Sequence, residues 1–184
     1  MDVYERGTHE GQRANHCLGK DRDGGAAVYG KGAGYTHPDG QTAIETRHRM
    51  RPIKRIILHC SATEAGKDFD VDDVRKWHKQ RGWSDVGYHF VITLDGKVQM
   101  GRSWEMIGSH TQGHNSDSLG VCYIGGVKDS KAADTVTPEQ DKSIRNLIAA
   151  LRTIFGPLSL HGHNEFANKA CPSFKVKEKY PELC

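Results

Sequence analysis

The distribution of apolar positions divides the chain into two unequal parts. Residues 1–50 hold nine of the 21 glycines but only four Val, Ile or Leu residues. A segment this poor in apolar side chains cannot bury enough surface to offset the entropy that is lost on ordering it. We therefore predict a Gly-rich N-terminal extension over residues 1–50, flexible or loosely docked, and a folded domain over residues 51–184.

Apolar and β-branched runs in the second part predict buried strands. Those runs are residues 53–58, which end at His59, residues 119–124 and residues 158–161. The run 88–94, the pair Asp95-Gly96 and the run 97–100 predict a β-hairpin with a two-residue turn. The domain therefore contains at least five strands.

Two helices are predicted from capping residues and from the helical spacing of apolar side chains. Asp70 is a good N-cap for a helix over residues 71–81. A second helix begins after Thr137, where Gln140 completes a capping box, and it ends at Gly156. Because strands and helices interleave, we predict one α/β (α+β) domain with a central mixed β-sheet flanked by helices.

Composition and charge exclude a membrane-spanning protein but select no partner. Hydrophobic residues make up 36% and charged residues 27%, and the net charge of +3 suits a cell wall or a nucleic acid equally. No apolar run approaches the roughly 20 residues that span a bilayer. Residues 1–20 lack an apolar signal-peptide core, so we expect no signal peptide.

The cysteines and histidines suggest a metal site. Five cysteines, widely spaced and without a CxxC pair, favour reduced thiols over a disulfide framework. His59 and His163 each follow a predicted strand, and Cys171 comes eight positions after His163. Two imidazoles and a thiolate suit Zn²⁺ and leave a fourth position for water, as a catalytic zinc needs. From the residues alone, two ordinary half-buried histidines and a core thiol remain the alternative.

A series of motifs between residues 51 and 180 resembles one enzyme family. The motifs are HCSAT (59–63), WHK (77–79), DVGYHF (85–90), GSH (108–110), SLGVC (118–122), HNE (163–165) and KACPSF (169–174). Their order and gaps are similar to those of the N-acetylmuramoyl-L-alanine amidase family of phage endolysins. The resemblance implies a zinc enzyme that cleaves the amide between N-acetylmuramic acid and L-alanine in peptidoglycan, with the zinc site at the sheet edge.

The resemblance also implies roles for five side chains. His59, His163 and Cys171 match the metal ligands, and Tyr88 and Lys169 match the catalytic side chains. The Lys169 ammonium would stabilise the oxyanion of the tetrahedral intermediate. Tyr88 would orient the attacking water or pass a proton to the leaving nitrogen. The sequence leaves open which of these two side chains does which job.

Four more polar residues are candidates for substrate binding. Ser61 and Thr63 follow the first ligand directly, where they would hydrogen-bond the peptide stem or merely cap a turn. His110 and Asn115 belong to a glycine-bearing segment that would line a groove for sugar or peptide, or form a solvated loop. The sequence leaves open whether each pair binds substrate or has only a structural role.

Several other polar residues near these motifs have simpler interpretations. His161 competes with His163 as a ligand, because a His-Gly-His strand end places both side chains on one face. The order and spacing of the family motifs match His163, rather than His161, to the metal ligand. Glu165 is better explained by capping or pairing within its loop, and His78 and His89 are predicted to be structural.

The resemblance implies partners and two alternative functions. Relatives among the phage endolysins bind and inhibit their phage's RNA polymerase, so polymerase binding is one alternative, and a non-catalytic peptidoglycan-binding module is another. We expect a monomer that binds peptidoglycan and makes no direct contact with nucleic acid or membrane. From family behaviour, we expect synthesis in a host cytoplasm and action on the wall after the membrane has been permeabilised.

Overall fold

A mixed β-sheet with helices packed on it forms the domain. The computed structural model describes residues 51–184, so the predicted extension over residues 1–50 lies outside the described residues. The strands are β1 (Arg55–Cys60), β2 (Thr63–Glu64), β3 (Phe90–Ile92), β4 (Val98–Met100), β5 (Ser118–Tyr123), β6 (Gly126–Lys128), β7 (Lys131–Ala132) and β8 (Ser159–Gly162). The helices are α1 (Val71–Gln80), α2 (Pro138–Phe155) and α3 (Val176–Lys179), with 3-10 helices at Asn115–Asp117, His163–Glu165 and Pro181–Leu183.

The main sheet has the strand order β4-β3-β5-β1-β8, and β2, β6 and β7 form a smaller sheet. In the main sheet β3, β5, β1 and β8 are parallel, whereas β4 runs antiparallel to β3. The prediction of a mixed sheet is therefore confirmed. Because the carboxyl ends of parallel strands meet at one end of a sheet, the residues that follow β1 and β8 are brought together there.

The larger core lies between α2 and one face of the main sheet. Ile144, Ile148 and Leu151 follow one side of α2 and are almost fully buried against Ile56 and Leu58 of β1 and their neighbours. Their spacing of three and four residues is the one that gives a helix a single apolar face. This packing fixes the position of β1, which carries the first predicted metal ligand.

The opposite face of the sheet packs against α1. Val91 of β3 lies in a second apolar cluster with Val74 of α1. Val91 is in register with Cys122, and Cys122 is in register with His59. Residues in register on neighbouring strands share a face, so His59 projects on the α1 side of the sheet.

The hairpin prediction is correct in its strands but wrong in its turn. The Thr93 N–H donates to the Lys97 carbonyl at 3.1 Å, so Leu94, Asp95 and Gly96 form a three-residue loop. Gly96 adopts φ of 81°, the left-handed conformation that closes such loops. The Asp-Gly pair thus marks the second half of the loop rather than the whole of it.

Both predicted helix starts are confirmed. Asp70 accepts hydrogen bonds from the first-turn amides of α1, and Thr137 and Gln140 form the capping box of α2. Gly156 ends α2 with φ of 83°. Within residues 51–184, no helix combines the length and the apolar character needed to cross a bilayer.

Gln140 also joins α2 to the ends of two strands. Its side chain is fully buried, and Nε2 donates to the carbonyls of Ile92 at 3.2 Å and Ile124 at 2.9 Å. A buried carbonyl that loses its donor costs about 1–3 kcal/mol. This side chain is therefore a structural link that the capping pattern alone does not indicate.

We expect the Gln140→Leu variant to lower the free energy of unfolding by about 3 kcal/mol, because two buried carbonyls lose their donor. Urea denaturation measures this change. The neighbouring Glu139→Gln variant is the control, because Glu139 is exposed and its change should stay below about 0.5 kcal/mol. A Gln140→Leu protein as stable as the wild type would contradict the proposed link.

Candidate metal centre

The structure brings the three predicted ligands together at the carboxyl ends of two parallel strands. His59 lies near the end of β1, His163 begins the 3-10 helix after the edge strand β8, and Cys171 lies on the loop that follows. Their ligand atoms all lie within 4.8 Å of one another. Strand pairing between β1 and β8 therefore places side chains side by side that are far apart in the sequence.

The spacing of the donor atoms fits a tetrahedral zinc ion. Nδ1 of His59 lies 3.7 Å from Sγ of Cys171. Ordinary Zn–N and Zn–S bond lengths in a tetrahedral site separate such a pair by about 3.6 Å. The imidazole of His163 packs at a tilt against that of His59, with 4.6 Å between ring centroids. The donor set and its spacing thus suit Zn²⁺.

The protonation states of the cluster also suit a divalent cation. Burial holds the pKa of His59 well below 6.5 and lowers the pKa of His163, and the charge of Lys169 adds to both shifts. Both rings are thus neutral at pH 7, the form that donates a lone pair to a metal. A hydrogen bond with Cys60 and burial raise the pKa of the Cys171 thiol. A bound cation would therefore be needed to hold Cys171 as a thiolate.

The two predicted catalytic side chains both lie near this cluster. Tyr88 precedes β3 and places its ring 5.1 Å from the ring of His59. Burial raises the pKa of the Tyr88 phenol well above 10, so it keeps its proton at neutral pH. Lys169 is exposed and lines the cavity beside His163. One side chain therefore offers a neutral hydroxyl and the other a cation.

An open cavity of about 560 Å³ lies next to the cluster. Its lining includes His163 and Lys169, the predicted substrate residues His110 and Asn115, and the half-exposed ring of Trp83. This volume is within the usual range of small-ligand sites. A substrate bound there would contact the candidate metal centre directly.

The family of the chain follows from comparison with known proteins. Residues 49–174 match the family model of N-acetylmuramoyl-L-alanine amidases. The chain belongs to the N-acetylmuramoyl-L-alanine amidase family. The match includes all three residues of the metal cluster and both predicted catalytic side chains.

Individual relatives agree with this assignment. The endolysin of Klebsiella phage KP32 is 46% identical over 131 residues, which cover 70% of this chain and 86% of that protein. The endolysin of Escherichia phage T7 is 46% identical over 123 residues, covering 66% and 82% respectively. The structure of the N-acetylmuramoyl-L-alanine amidase LysC from Clostridium intestinale URNW matches with a TM-score of 0.62 and 29% identity, covering 73% of this chain and 86% of that one.

In the amidase, His110 and Asn115 lie on the same loop of the cavity wall. The side-chain oxygen of Asn115 accepts hydrogen bonds from the backbone N–H groups of His110 and Thr111, at 2.9 and 2.8 Å. Asn115 therefore shapes the loop that carries His110. Binding of substrate by these two residues stays a prediction.

Ser61 and Thr63 are engaged with the protein itself. Their hydroxyl oxygens lie 2.7 Å apart, and the Gly125 N–H donates to Oγ of Ser61 at 2.9 Å. Neither residue belongs to the lining of the cavity. These contacts fit the turn-capping alternative, and a role in binding the peptide stem stays a prediction.

His161 and His163 have different surroundings in the amidase because β8 ends at Gly162, between them. His161 is half-buried, with Nδ1 3.1 Å from Oε2 of Glu165 and Nε2 3.0 Å from Oγ of Ser159. The other carboxylate oxygen of Glu165 accepts a hydrogen bond from the Gly162 N–H at 2.9 Å, which confirms its capping role. His161 thus lies outside the metal cluster.

The structural roles predicted for His78 and His89 are confirmed. Nδ1 of His78 accepts a hydrogen bond from the Gly87 N–H, and Nδ1 of His89 accepts one from the Gly120 N–H, both at 2.9 Å.

The structure also shows a contact between two histidines that the sequence does not reveal. Nε2 of His59 is 3.1 Å from Nδ1 of His110, which is distant along the chain.

We expect the metal-free amidase to lose stability as the pH falls below about 6.5. Burial lowers the pKa of His78 and His89 to about 4 and that of His110 to about 3. The unfolded chain, with ordinary histidine pKa values near 6.5, then binds protons that the folded chain does not. Each of these histidines removes up to about 1.4 kcal/mol per pH unit in this window.

Urea denaturation in the presence of a chelator, at pH 7.5, 6.5 and 5.5, measures this loss. This range lies above the titration of most carboxyl groups, so the histidines dominate the change. A free energy of unfolding that stays constant between pH 7.5 and 5.5 would contradict neutral burial of these three rings.

Proposed function

We propose that this chain is a phage-type endolysin, a zinc-dependent amidase that hydrolyses the bond between N-acetylmuramic acid and L-alanine in peptidoglycan. The observation that carries the proposal is the convergence of His59, His163 and Cys171 within 4.8 Å beside an open cavity. Membership of the amidase family and the relatives named endolysins support it.

His59, His163 and Cys171 are the residues that would hold the zinc ion. The two neutral imidazoles contribute lone pairs, with Nδ1 of His59 directed at the cluster, and the Cys171 thiolate contributes a negative charge. A Zn²⁺ ion bound there supplies a water that is acidic enough to react at neutral pH and a Lewis acid for the scissile carbonyl. Three protein ligands would leave one coordination position free for this chemistry.

Lys169 places a positive charge at the open side of the centre. The carbonyl oxygen of an amide gains negative charge as the bond is attacked, and a fixed cation nearby stabilises that charge. Lys169 lines the cavity together with the ligand His163, so a carbonyl bound there lies within its reach.

Tyr88 contributes a hydroxyl that remains protonated. Because burial raises its pKa well above 10, Tyr88 acts as a hydrogen-bond or proton donor rather than as a base at neutral pH. Its ring lies beside that of His59, although Tyr88 is not part of the cavity lining, and its hydroxyl would orient the water or assist the departing L-alanine nitrogen. The amine of L-alanine is a poor leaving group as an anion, so a nearby donor lowers the barrier to its departure.

The products of peptidoglycan digestion test this proposal. The zinc-loaded full chain should release new amino groups that belong to L-alanine from purified Gram-negative peptidoglycan, without new reducing sugar ends. Appearance of reducing ends in place of L-alanine amino groups would indicate a glycosidase and contradict the amidase assignment. Tight binding without either product would favour the non-catalytic module.

The cellular part of the proposal rests on the resemblance to phage endolysins. We propose that a monomeric chain is made in the host cytoplasm and reaches the wall after the membrane is permeabilised. Inhibition of a phage RNA polymerase stays a separate prediction. A transcription assay with the phage polymerase tests it, and unchanged transcript yield at saturating protein would reject it.

A further inference from the structure

We propose that His110 is a positioning residue for the metal centre, which holds the imidazole of His59 in the orientation and tautomer that direct Nδ1 at the metal. The inference rests on the metal centre proposed above. His110 is buried, and its ring meets that of His59 edge-on with 5.1 Å between centroids.

The two nitrogens of His59 face different partners. Nε2 lies 3.1 Å from Nδ1 of His110 and 3.4 Å from Oγ1 of Thr111, whereas Nδ1 lies 3.7 Å from Sγ of Cys171. The ring is therefore held from the side opposite to the metal cluster. Only the tautomer with its proton on Nε2 leaves a lone pair on Nδ1 for a metal.

The hydrogen bonds around His110 determine that tautomer. Oγ of Ser118 donates to the carbonyl of His114 at 2.6 Å, so toward Nε2 of His110, 3.4 Å away, it can only accept. Nε2 of His110 must then carry the proton, and Nδ1 of His110 is an acceptor. The hydrogen bond with His59 is therefore donated by Nε2–H of His59.

The Thr111 hydroxyl supports the same assignment. Oγ1 of Thr111 lies 3.1 Å from Nδ1 of His110. The hydroxyl can donate to this nitrogen while its oxygen accepts from Nε2–H of His59. In this arrangement the His59 proton stays on Nε2 and its lone pair on Nδ1.

Two glycines provide the space that His110 occupies. A Cβ added at Gly120, in the middle of the buried strand β5, would lie 2.6 Å from the ring of His110, and one at Gly108 would lie equally close. A glycine inside a strand weakens it and often marks a close approach by another group. Here the approaching group is the imidazole that reaches His59.

The expected effect of losing His110 is on metal affinity. Histidine ligands usually donate their second ring N–H to a fixed acceptor, and loss of that acceptor typically weakens metal binding or activity by about 10- to 100-fold. In this amidase the acceptor is a neutral imidazole rather than a carboxylate or a carbonyl. His110 therefore orients the His59 ring without adding a negative charge to the metal centre.

Zinc affinity of the full chain, measured by competition with a chromophoric chelator, tests the inference. We expect His110→Leu to weaken zinc binding by about 10- to 100-fold. His110→Asn keeps an acceptor near the position of Nδ1 and should restore most of the affinity. His161→Gln is the matched control, because His161 lies outside the cluster, and its zinc affinity should equal that of the wild type.

Thermal unfolding of each metal-free variant separates folding from positioning. A folded His110→Leu protein that binds zinc as tightly as the wild type would overturn the inference. If that variant does not fold, Ser118→Ala serves, because it removes the acceptor that fixes the His110 tautomer, along with the hydrogen bond from this hydroxyl to the His114 carbonyl. Unchanged zinc affinity of Ser118→Ala would then overturn the inference. A wild-type chain that binds no zinc would instead overturn the proposed metal centre, and this inference with it.

Discussion

Replacement of Cys171 by serine is expected to empty the metal centre and to lower amidase activity by more than about 10³-fold. Loss of a single electrostatic contact in an active site already lowers kcat by about 10²–10³-fold, and loss of the zinc removes more than one such contribution. A serine hydroxyl keeps its proton at neutral pH and is a far weaker zinc ligand than a thiolate. The fold should survive, because the serine oxygen can still accept the Cys60 N–H that Sγ of Cys171 accepts at 3.3 Å.

Elemental analysis of the purified variant and hydrolysis of peptidoglycan measure the two effects together. Cys184→Ser is the matched control, because Cys184 is an exposed free cysteine and is not part of the metal cluster. It should keep both zinc and activity. A Cys171→Ser protein with one zinc per chain and wild-type hydrolysis would exclude Cys171 as a ligand.

Replacement of Lys169 by methionine is expected to lower kcat by about 10²–10³-fold and to leave the zinc content unchanged. Methionine keeps much of the length of the side chain but removes the charge that lies beside His163 in the cavity wall. Lys169 is exposed, so its loss should have little effect on the free energy of unfolding.

The exposed Lys175 provides the control for this second variant. Lys175 pairs with Glu178 and is not part of the cavity lining, so Lys175→Met should keep the wild-type kcat. An unchanged kcat for Lys169→Met would remove Lys169 from the mechanism. Loss of zinc from Lys169→Met would show that it acts on the metal site instead.

Local sequence signals were sufficient to predict most of the large elements. Asp70 and the Thr137–Gln140 capping box placed the helix starts correctly, because a cap depends on residues within one turn. The strands β2, β6 and β7, each of two or three residues, are too short to show any periodicity. The hairpin loop was predicted one residue too short, because Asp-Gly suits two-residue and three-residue loops alike.

The residue types alone suggested the candidate centre but left an alternative open, and the family resemblance decided between the two. Spacing alone cannot show that His59 and His163 are neighbours, because their proximity depends on the parallel pairing of β1 with β8. The contact between His110 and His59 has no local signal at all. It depends on the space above Gly120 in the middle strand of the sheet, and this space exists only once the sheet has formed.

Zinc dependence of amide hydrolysis tests the central claim most directly. The full chain would be stripped with a chelator, assayed for release of L-alanine amino groups from peptidoglycan, and then titrated with zinc. We predict that activity disappears in the stripped protein and returns fully at one zinc ion per chain. Full activity in a protein that elemental analysis shows to be free of metal would contradict the account.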